Sequence, residues 1–246
     1  MTTTELRPQL LGARDCEAAV AAIADFFTAH GLAFGHGTDN ASDEAFWVLR
    51  HAQRWRDDVD WGSPPGPDVA QAALDLAARR VETRKPLAYL TGEAWFAGLR
   101  FAVDERVLVP RSPLAEVIER AFEPWCKLRP GDRVLDIGTG SGCIAIAVAH
   151  YCDGVLVDAT DVSTPALEVA AGNVARHGLG ERVRLHRADL FPPLDARYRV
   201  IVSNPPYVSA REMAELPPEY RHEPAMALEG GATGFEPADR ILRGAL

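Results

Sequence analysis

The chain changes its hydrophobic periodicity along its length, and its N-terminal third has a helical pattern. Residues 14–30, RDCEAAVAAIADFFTAH, carry apolar side chains at helical spacing and stop at a glycine, which favours a helix C-terminus. A second helix is predicted from Ser42 to about Trp55. A third begins near Pro67 and Asp68, residue types that suit a first helical turn. These segments predict a small helical N-terminal domain.

The segment that follows changes to short aromatic and β-branched runs. Residues 86–111, PLAYLTGEAWFAGLRFAVDERVLVPR, are broken by Gly92 and Gly98, a pattern typical of a β-hairpin. We therefore predict a helical domain at 1–85, a hairpin connector at 86–111 and a further domain at 112–246.

From Arg129 onward, apolar runs alternate with helical stretches. The runs RVLDIG, VLVDATD, RVRLHRAD and YRVIVSN each end in polar residues or glycine, as buried strands do. This alternation predicts an α/β fold with a parallel, doubly wound sheet. Ligands of such sheets bind beyond the carboxyl ends of the strands, so the residues just after each strand are candidate site residues.

Composition and charge narrow the classes of function. With 47% hydrophobic and 25% charged residues the chain is expected to fold into a globule. It begins without a signal-peptide pattern and its longest apolar run is too short for a membrane span, so we expect a cytoplasmic protein with no membrane partner. A net charge of -9 argues against broad binding to nucleic-acid backbones and suits a basic protein partner. The four cysteines form no CxxC pair and have no histidine cluster beside them, so we expect reduced thiols and no metal site.

The first candidate site is the loop DIGTGSG, Asp136 to Gly142, between a predicted strand and helix. Its three alternating glycines allow a tight turn and a close backbone approach to a ligand, which indicates a nucleotide-like molecule. Gly140, Gly142 and Ala145 also satisfy a permissive dinucleotide fingerprint, and Asp161 lies at a suitable distance to hold a ribose. The loop alone leaves both ligand classes open.

Three acids at the ends of successive strands favour one of these two ligand classes. We expect Asp136, Asp161 and Asp189 to ring one pocket, although Asp189 taken alone suits a helix cap or turn equally well. Clustered carboxylates would repel a pyrophosphate. They suit S-adenosylmethionine, which has a sulfonium, an amino group, ribose hydroxyls and an adenine amine.

The second candidate site is NPPY, Asn204 to Tyr207, at the end of the fourth predicted strand. Pro205 and Pro206 fix the backbone and thereby aim its carbonyls. The Asn204 side-chain oxygen and the Pro205 carbonyl are two acceptors for a planar NH₂ group, and Tyr207 offers it a flat face. This arrangement predicts methylation of an amide or exocyclic amine nitrogen without a strong base.

These motifs resemble a known family. DIGTGSG, Asp161, RADLF at 187–191 and SNPPY resemble the class I S-adenosylmethionine-dependent methyltransferases that modify amide or amine nitrogen. LVPRSPLAEVIE at 108–119 and FGHGTDNASDEA at 34–45 resemble the glutamine N5-methyltransferases (the PrmB/PrmC family). Enzymes acting on release factors usually have the sequence VPRP-(D/E)-T-E at this place. This chain departs from that form after Arg111, where it continues with SPLAE. The chain looks closer to the PrmB branch, which methylates large-subunit ribosomal protein three.

The resemblance implies roles for individual residues. The loop residues Gly138, Thr139, Gly140, Ser141 and Gly142 would contact the methionine part of S-adenosylmethionine, with Asp161 at the ribose and Asp189 and Leu190 at the adenine region. Asn204, Pro205, Pro206 and Tyr207 would hold the substrate glutamine, with Asn204 also beside the donor. Arg111 either shapes the substrate entrance or forms a structural salt bridge.

The resemblance also implies a Rossmann-like class I methyltransferase sheet that continues past its fourth strand with three more. Because only residues 208–246 remain, we expect the C-terminal strands to be truncated. The expected reaction converts the donor to S-adenosylhomocysteine and methylates a glutamine of the unassembled ribosomal protein. The alternatives are a release factor as substrate, adenine-N6 methylation of nucleic acid, and a non-catalytic binding module.

Overall fold

The computed structural model describes residues 1–245, which form two compact units. One unit contains Met1–Thr91 together with Pro217–His222, and the other contains Gly92–Leu216 and the chain from Glu223 onward. The predicted boundary after residue 85 falls a few residues before this division. The return of residues 217–222 to the helical unit has no counterpart in the sequence pattern.

The first unit is helical. Its helices are α1 (Thr3–Leu11), α2 (Cys16–Ala29), α3 (Ala41–Ala52), α4 (Pro67–Thr83) and α5 (Leu87–Thr91). The predictions of α2 and of the α4 start are confirmed. The predicted second helix runs three residues too far, because Arg54 and Trp55 both adopt positive φ angles that end α3 earlier.

Helix α1 escaped the sequence analysis because Pro8 lies inside it. An internal proline removes a hydrogen bond and usually ends or kinks a helix. Here Thr2 and Glu5 form a reciprocal capping box, and Leu6 and Leu10 are fully buried in the helical core. Capping and burial together stabilise the helix despite the proline.

The returning segment, Pro217–His222, carries a buried carboxylate into this unit. Glu219 Oε1 accepts a hydrogen bond from the backbone N–H of Ala33 at 3.0 Å and lies 3.3 Å from Arg84 Nε and 3.9 Å from Arg80 Nη1. Arg80 is itself completely buried and donates from Nε to Glu44 Oε1 at 2.7 Å. One guanidinium therefore lies between two buried acids, one of which belongs to the returning segment.

The loop FGHGTDN, residues 34–40, also contacts that segment. The buried His36 ring packs on Tyr220, with 4.3 Å between ring centroids. A Cβ at Gly35 would lie 2.7 Å from the Tyr220 hydroxyl, and Gly35 has a φ of +108°, so only glycine suits this position. The side chain of Asn40 caps α3. The motif that resembles the glutamine N5-methyltransferases thus packs within the helical unit.

The second unit begins with a hairpin and continues as an α/β sheet. Its elements are β1 (Glu93–Phe96), β2 (Leu99–Ala102), α6 (Leu114–Glu119), β3 (Arg133–Ile137), α7 (Cys143–Tyr151), β4 (Leu156–Asp161), α8 (Thr164–Arg176), β5 (Val183–Arg187), β6 (Val200–Ser203), α9 (Ala210–Glu215) and α10 (Glu236–Gly244). Short 3₁₀ helices span Pro218–His222 in the first unit and Ala225–Ala227 in the second.

The main sheet has the strand order β5-β4-β3-β6, and every pairing in it is parallel. All four predicted strands are confirmed. Helices α7 and α8 contact each other and the strands, while Ile241 of α10 packs with Leu135 and Ile137 on β3. The sheet is therefore covered by helices in the manner of a doubly wound fold.

In residues 1–245, no helix combines the length and apolar character needed to cross a membrane.

We expect Arg80→Met to destabilise the helical unit by about 3–5 kcal/mol, because the substitution leaves Glu44 buried without its cation and leaves Glu219 with Arg84 alone. Urea unfolding followed by tryptophan fluorescence measures this loss, since Trp47, Trp55 and Trp61 all lie in that unit. The matched control is Arg79→Met, which alters the exposed neighbour on the same helix and should change stability by less than about 0.5 kcal/mol. Equal stabilities of the two variants would contradict the proposed role of the buried arginine.

Candidate active site

The site lies where the carboxyl ends of three parallel strands meet. Ile137 at the end of β3 is in register with Thr160 on β4 and with Ser203 on β6. The Ser203 hydroxyl also donates to the Ile137 carbonyl at 2.7 Å, which holds two of these ends together. A cavity of about 290 Å³ lies at this edge, close to the lower end of the range of roughly 300–1,000 Å³ common for small-molecule sites.

Most residues singled out in the sequence line this one cavity. They are Arg111, Gly138, Thr139, Gly140, Ser141, Asp161, Asp189, Leu190, Asn204, Pro205 and Pro206. Three others lie outside its lining: Asp136, Gly142 and Tyr207. The structure therefore brings residues of both candidate motifs to the same cavity.

The glycine loop leaves open space on the cavity side. Its backbone is fastened to β4, because the N–H groups of Gly138 and Thr139 both donate to the Thr160 carbonyl at 2.9 Å. Gly138 and Gly140 have positive φ angles, and an added Cβ at either position would meet no atom within 4 Å. The loop thus forms an open cradle where a ligand can approach the backbone closely.

Gly142 has a different role from the first two glycines. It caps the start of α7 with a φ of +81°, and an added Cβ would lie 3.2 Å from the Ala170 Cβ on α8. The third glycine therefore allows two helices to pack closely, and it does not face the cavity.

Asp136 lies beneath the loop, fully buried. Strand alternation turns it to the face opposite its neighbours Leu135 and Ile137. Its Oδ2 accepts hydrogen bonds from the Thr139 hydroxyl at 2.6 Å and from the Ala145 N–H at 3.1 Å. Burial raises the pKa of this carboxyl to about 7, although both hydrogen bonds oppose the rise. The expected ring of three acids thus has two members at the cavity, and the third fastens the loop to α7.

Asp161 faces the cavity from the end of β4. Its Oδ2 accepts from the Gly140 N–H and its Oδ1 from the Ser163 N–H, both at 2.9 Å. Each carboxylate oxygen has a second lone pair, so the group can still accept from ligand hydroxyls. Asp161 therefore both positions the loop and presents acceptors.

The segment after β5 is held in an unusual backbone conformation. Leu190 has a φ of +72°, which costs a non-glycine residue roughly 1–2 kcal/mol. The Thr160 hydroxyl donates to the Leu190 carbonyl at 2.7 Å and stabilises this conformation. Asp189 pairs with Arg240 at 2.7 Å, but both side chains are more than half exposed, so this pair adds little stability.

At the end of β6, the Asn204 amide is oriented by the backbone of another segment. Asn204 Nδ2 donates to the Arg111 carbonyl at 3.4 Å. A carbonyl only accepts, so this contact selects the NH₂ end of the amide and leaves the Oδ1 end as the acceptor. Pro205 and Pro206 line the cavity, whereas the Tyr207 side chain is 65% exposed and lies outside the lining.

The Arg111 guanidinium forms two hydrogen bonds to a residue that the sequence analysis missed. Its Nη1 and Nη2 donate to the two carboxylate oxygens of Glu223 at 2.7 and 2.6 Å. Nothing in the stretch HEPAMALEGG marks Glu223 as part of a site, apart from an acid placed directly before a proline. The pairing of Glu223 with Arg111 is evident only from the three-dimensional structure.

Comparison with known proteins identifies the family. Residues 121–217 match the family described as "Methyltransferase small domain". Over 219 residues the chain is 49% identical to the ribosomal protein uL3 glutamine methyltransferase of Bordetella pertussis, covering 87% of this chain and 74% of that protein. The relative of the same name from Xanthomonas campestris pv. campestris is 48% identical over 89% of this chain and 72% of its own length. The chain belongs to the ribosomal protein uL3 glutamine methyltransferase family.

Membership of this family makes the chain a methyltransferase and confirms both the predicted resemblance and the predicted Rossmann-like fold. Among solved structures, the hMettl16 catalytic domain in complex with MAT2A 3'UTR hairpin 6 has a TM-score of 0.47 to this chain at 21% identity, covering 69% of this chain and 62% of that one. That similarity is too low to inform the function.

The buried Asp136 has a consequence for stability against pH. Its pKa is raised from 3.8 to about 7 on folding, so between these values the folded state keeps a proton that the unfolded state loses. Stability therefore falls as pH rises through this window, by up to about 1.4 kcal/mol per pH unit.

We expect Asp136→Asn to remove this dependence. Urea unfolding at several pH values measures the unfolding free energy of both proteins. From pH 4 to 7 the variant should become more stable relative to the unaltered protein, and above this range the difference should stay constant. The other carboxyls are common to both proteins and cancel in the difference. Parallel pH profiles would show that Asp136 keeps an ordinary pKa.

Proposed function

We propose that this methyltransferase transfers a methyl group from S-adenosylmethionine to the side-chain amide nitrogen (N5) of a glutamine in ribosomal protein uL3. The observation that carries the proposal is the Asn204 amide at the cavity, with its NH₂ end bound to the Arg111 carbonyl and its oxygen left to accept. An amide NH₂ is the group that such an acceptor suits. The names of the relatives supply the substrate protein.

The residues that line the cavity support S-adenosylmethionine as the methyl donor. The open cradle at Gly138 and Gly140, with Thr139 and Ser141, is suited to the methionine part. Asp161 is assigned to the ribose hydroxyls, and Asp189 with Leu190 to the adenine region. When bound, the donor supplies a methyl group on a positively charged sulfur, a good electrophile with a neutral leaving group.

The protein's part in the chemistry follows from the weakness of an amide as a nucleophile. The Asn204 oxygen and the Pro205 carbonyl would accept the two N–H bonds of the substrate, orient its nitrogen towards the methyl group and stabilise the positive charge that develops. Pro206 keeps the Pro205 backbone rigid. As the new N–C bond forms the C–S bond breaks, its electron pair stays on sulfur in S-adenosylhomocysteine, and the substrate proton passes to water. No strong base is required.

Tyr207 has an assigned role at the substrate side chain, although its ring is largely exposed. An exposed ring beside the cavity-lining prolines can cover a glutamine once the substrate protein is bound. We assign substrate recognition beyond the glutamine to the helical domain at 1–85. The net charge of -9 favours a basic partner, which we place in the cytoplasm before ribosome assembly.

The test is methyl transfer to three candidate substrates: isolated uL3, a release factor and DNA. We expect mass spectrometry to show one added methyl group on a uL3 glutamine and none on the others. Asn204→Ala should lower this rate by about 10²-fold or more, because it removes an acceptor used in the transition state, while donor affinity stays within severalfold. Methylation of the release factor alone would show that the release factor, and not uL3, is the substrate. Near-normal turnover of Asn204→Ala would contradict the catalytic role assigned to Asn204.

Donor binding is tested separately at Asp161. We expect Asp161→Ala to weaken S-adenosylmethionine binding by about 1–3 kcal/mol, because ribose hydroxyls lose their acceptor in a partly buried pocket and the Gly140 N–H loses its partner. Calorimetry measures the change, with Glu181→Ala, an exposed acid in the same unit, as the control. Binding of NAD in place of S-adenosylmethionine by the unaltered protein would overturn the assignment of the donor.

A further inference from the structure

One buried carboxylate, that of Glu223, holds a short segment beside the cavity at two points. The Glu223 side chain is completely buried, and its Oε1 accepts from the Val109 backbone N–H at 3.1 Å. The same carboxylate accepts from both terminal nitrogens of Arg111 at 2.7 and 2.6 Å. Pro224 lines the cavity, whereas Glu223 lies outside its lining. Glu223 therefore acts on the cavity only through the residues that it binds.

The segment held in this way has little conformational freedom. Pro110 lies between the two anchored residues, and its ring fixes its own φ. The proline also restricts Val109 to extended conformations. One carboxylate thus holds both the Val109 N–H and the Arg111 side chain. This fixes the position and the direction of the Arg111 carbonyl.

That carbonyl determines which way the Asn204 amide faces. It accepts from Asn204 Nδ2 at 3.4 Å. A flipped amide would place Oδ1 against the carbonyl oxygen, which is repulsive because neither atom can donate. A displaced carbonyl would release this preference. The chain of contacts runs from Glu223 through Arg111 to Asn204.

We propose that Glu223 is a positioning residue for methyl transfer, which keeps the Asn204 amide in the orientation that accepts from the substrate. This inference rests on the proposed function, because it assumes that Asn204 Oδ1 contacts the substrate amide. It assigns Arg111 a role through its carbonyl, with its guanidinium serving to fasten the segment to Glu223.

Glu223→Gln tests the proposal with minimal change in shape. The new amide oxygen can still accept from the Val109 N–H, but its NH₂ group cannot accept from Arg111. We expect kcat on isolated uL3 to fall about 10- to 100-fold, the scale of loss that a small misplacement of a catalytic group produces. The Kd for S-adenosylmethionine should stay within severalfold. Glu215→Gln is the matched control, because it breaks an exposed ion pair with Arg211 in the same unit.

A double-mutant cycle tests whether Glu223 and Arg111 affect the reaction through one shared route. Arg111→Gln should lower kcat by a factor similar to that of Glu223→Gln, and the double variant should lose no more than either single one. Independent, multiplying losses in kcat would contradict a shared route to Asn204.

A spectroscopic measurement tests the orientation itself, independently of turnover. In protein labelled with ¹⁵N-asparagine, the Asn204 side-chain signals are those lost in Asn204→Ala. We expect Glu223→Gln and Arg111→Gln to shift or broaden these signals, and Glu215→Gln to leave them unchanged. Unshifted Asn204 signals overturn the proposal, even where kcat falls. Failure of the unaltered protein to methylate uL3 would instead refute the proposed function, and these signals would still decide whether Glu223 positions Asn204.

Discussion

The parallel register at the ends of β3, β4 and β6 is the constraint on which the site depends. It places Ile137, Thr160 and Ser203 side by side, so the loops that follow these strands must leave the sheet at one edge. Thr160 then holds the glycine loop after β3 and the segment after β5, since its carbonyl accepts from the glycine loop and its hydroxyl donates to the Leu190 carbonyl. A shift of one residue in either pairing would move every one of these contacts to the wrong face.

On this rigid edge, the polar groups differ in how directly they face the cavity. Asp161 reaches the cavity while it also accepts from the loop backbone, whereas Asp136 only holds the loop from below. Asn204 faces the cavity, and its orientation depends on a carbonyl that a buried acid fixes from behind. The groups assigned to the reaction are thus few, and a second set of buried polar residues determines where they point.

The sequence predicted the parts of this arrangement that depend on local pattern. Four strands, the glycine loop and the position of NPPY followed from apolar runs and from backbone-restricting residues. The roles of Asp136 and Tyr207 depend on which face of the chain the fold covers, and adjacency in sequence to a motif does not reveal it. Glu223 was missed because its partner Arg111 lies far away in the chain, and helix α1 was missed because tertiary burial of Leu6 and Leu10 outweighs an internal proline.

The path of the chain between Tyr207 and Glu223 has a consequence for exchanging parts between relatives. Residues 217–222 leave the α/β unit, insert Glu219 and Tyr220 among residues of the helical unit, and return directly before Glu223. A chimera that replaced only the N-terminal helices would therefore place the native residues 217–222 against helices and loops of a different protein. Because Gly35, His36 and Arg80 contact residues 217–222 directly, a chimera keeps these native contacts only when both stretches come from the same parent protein.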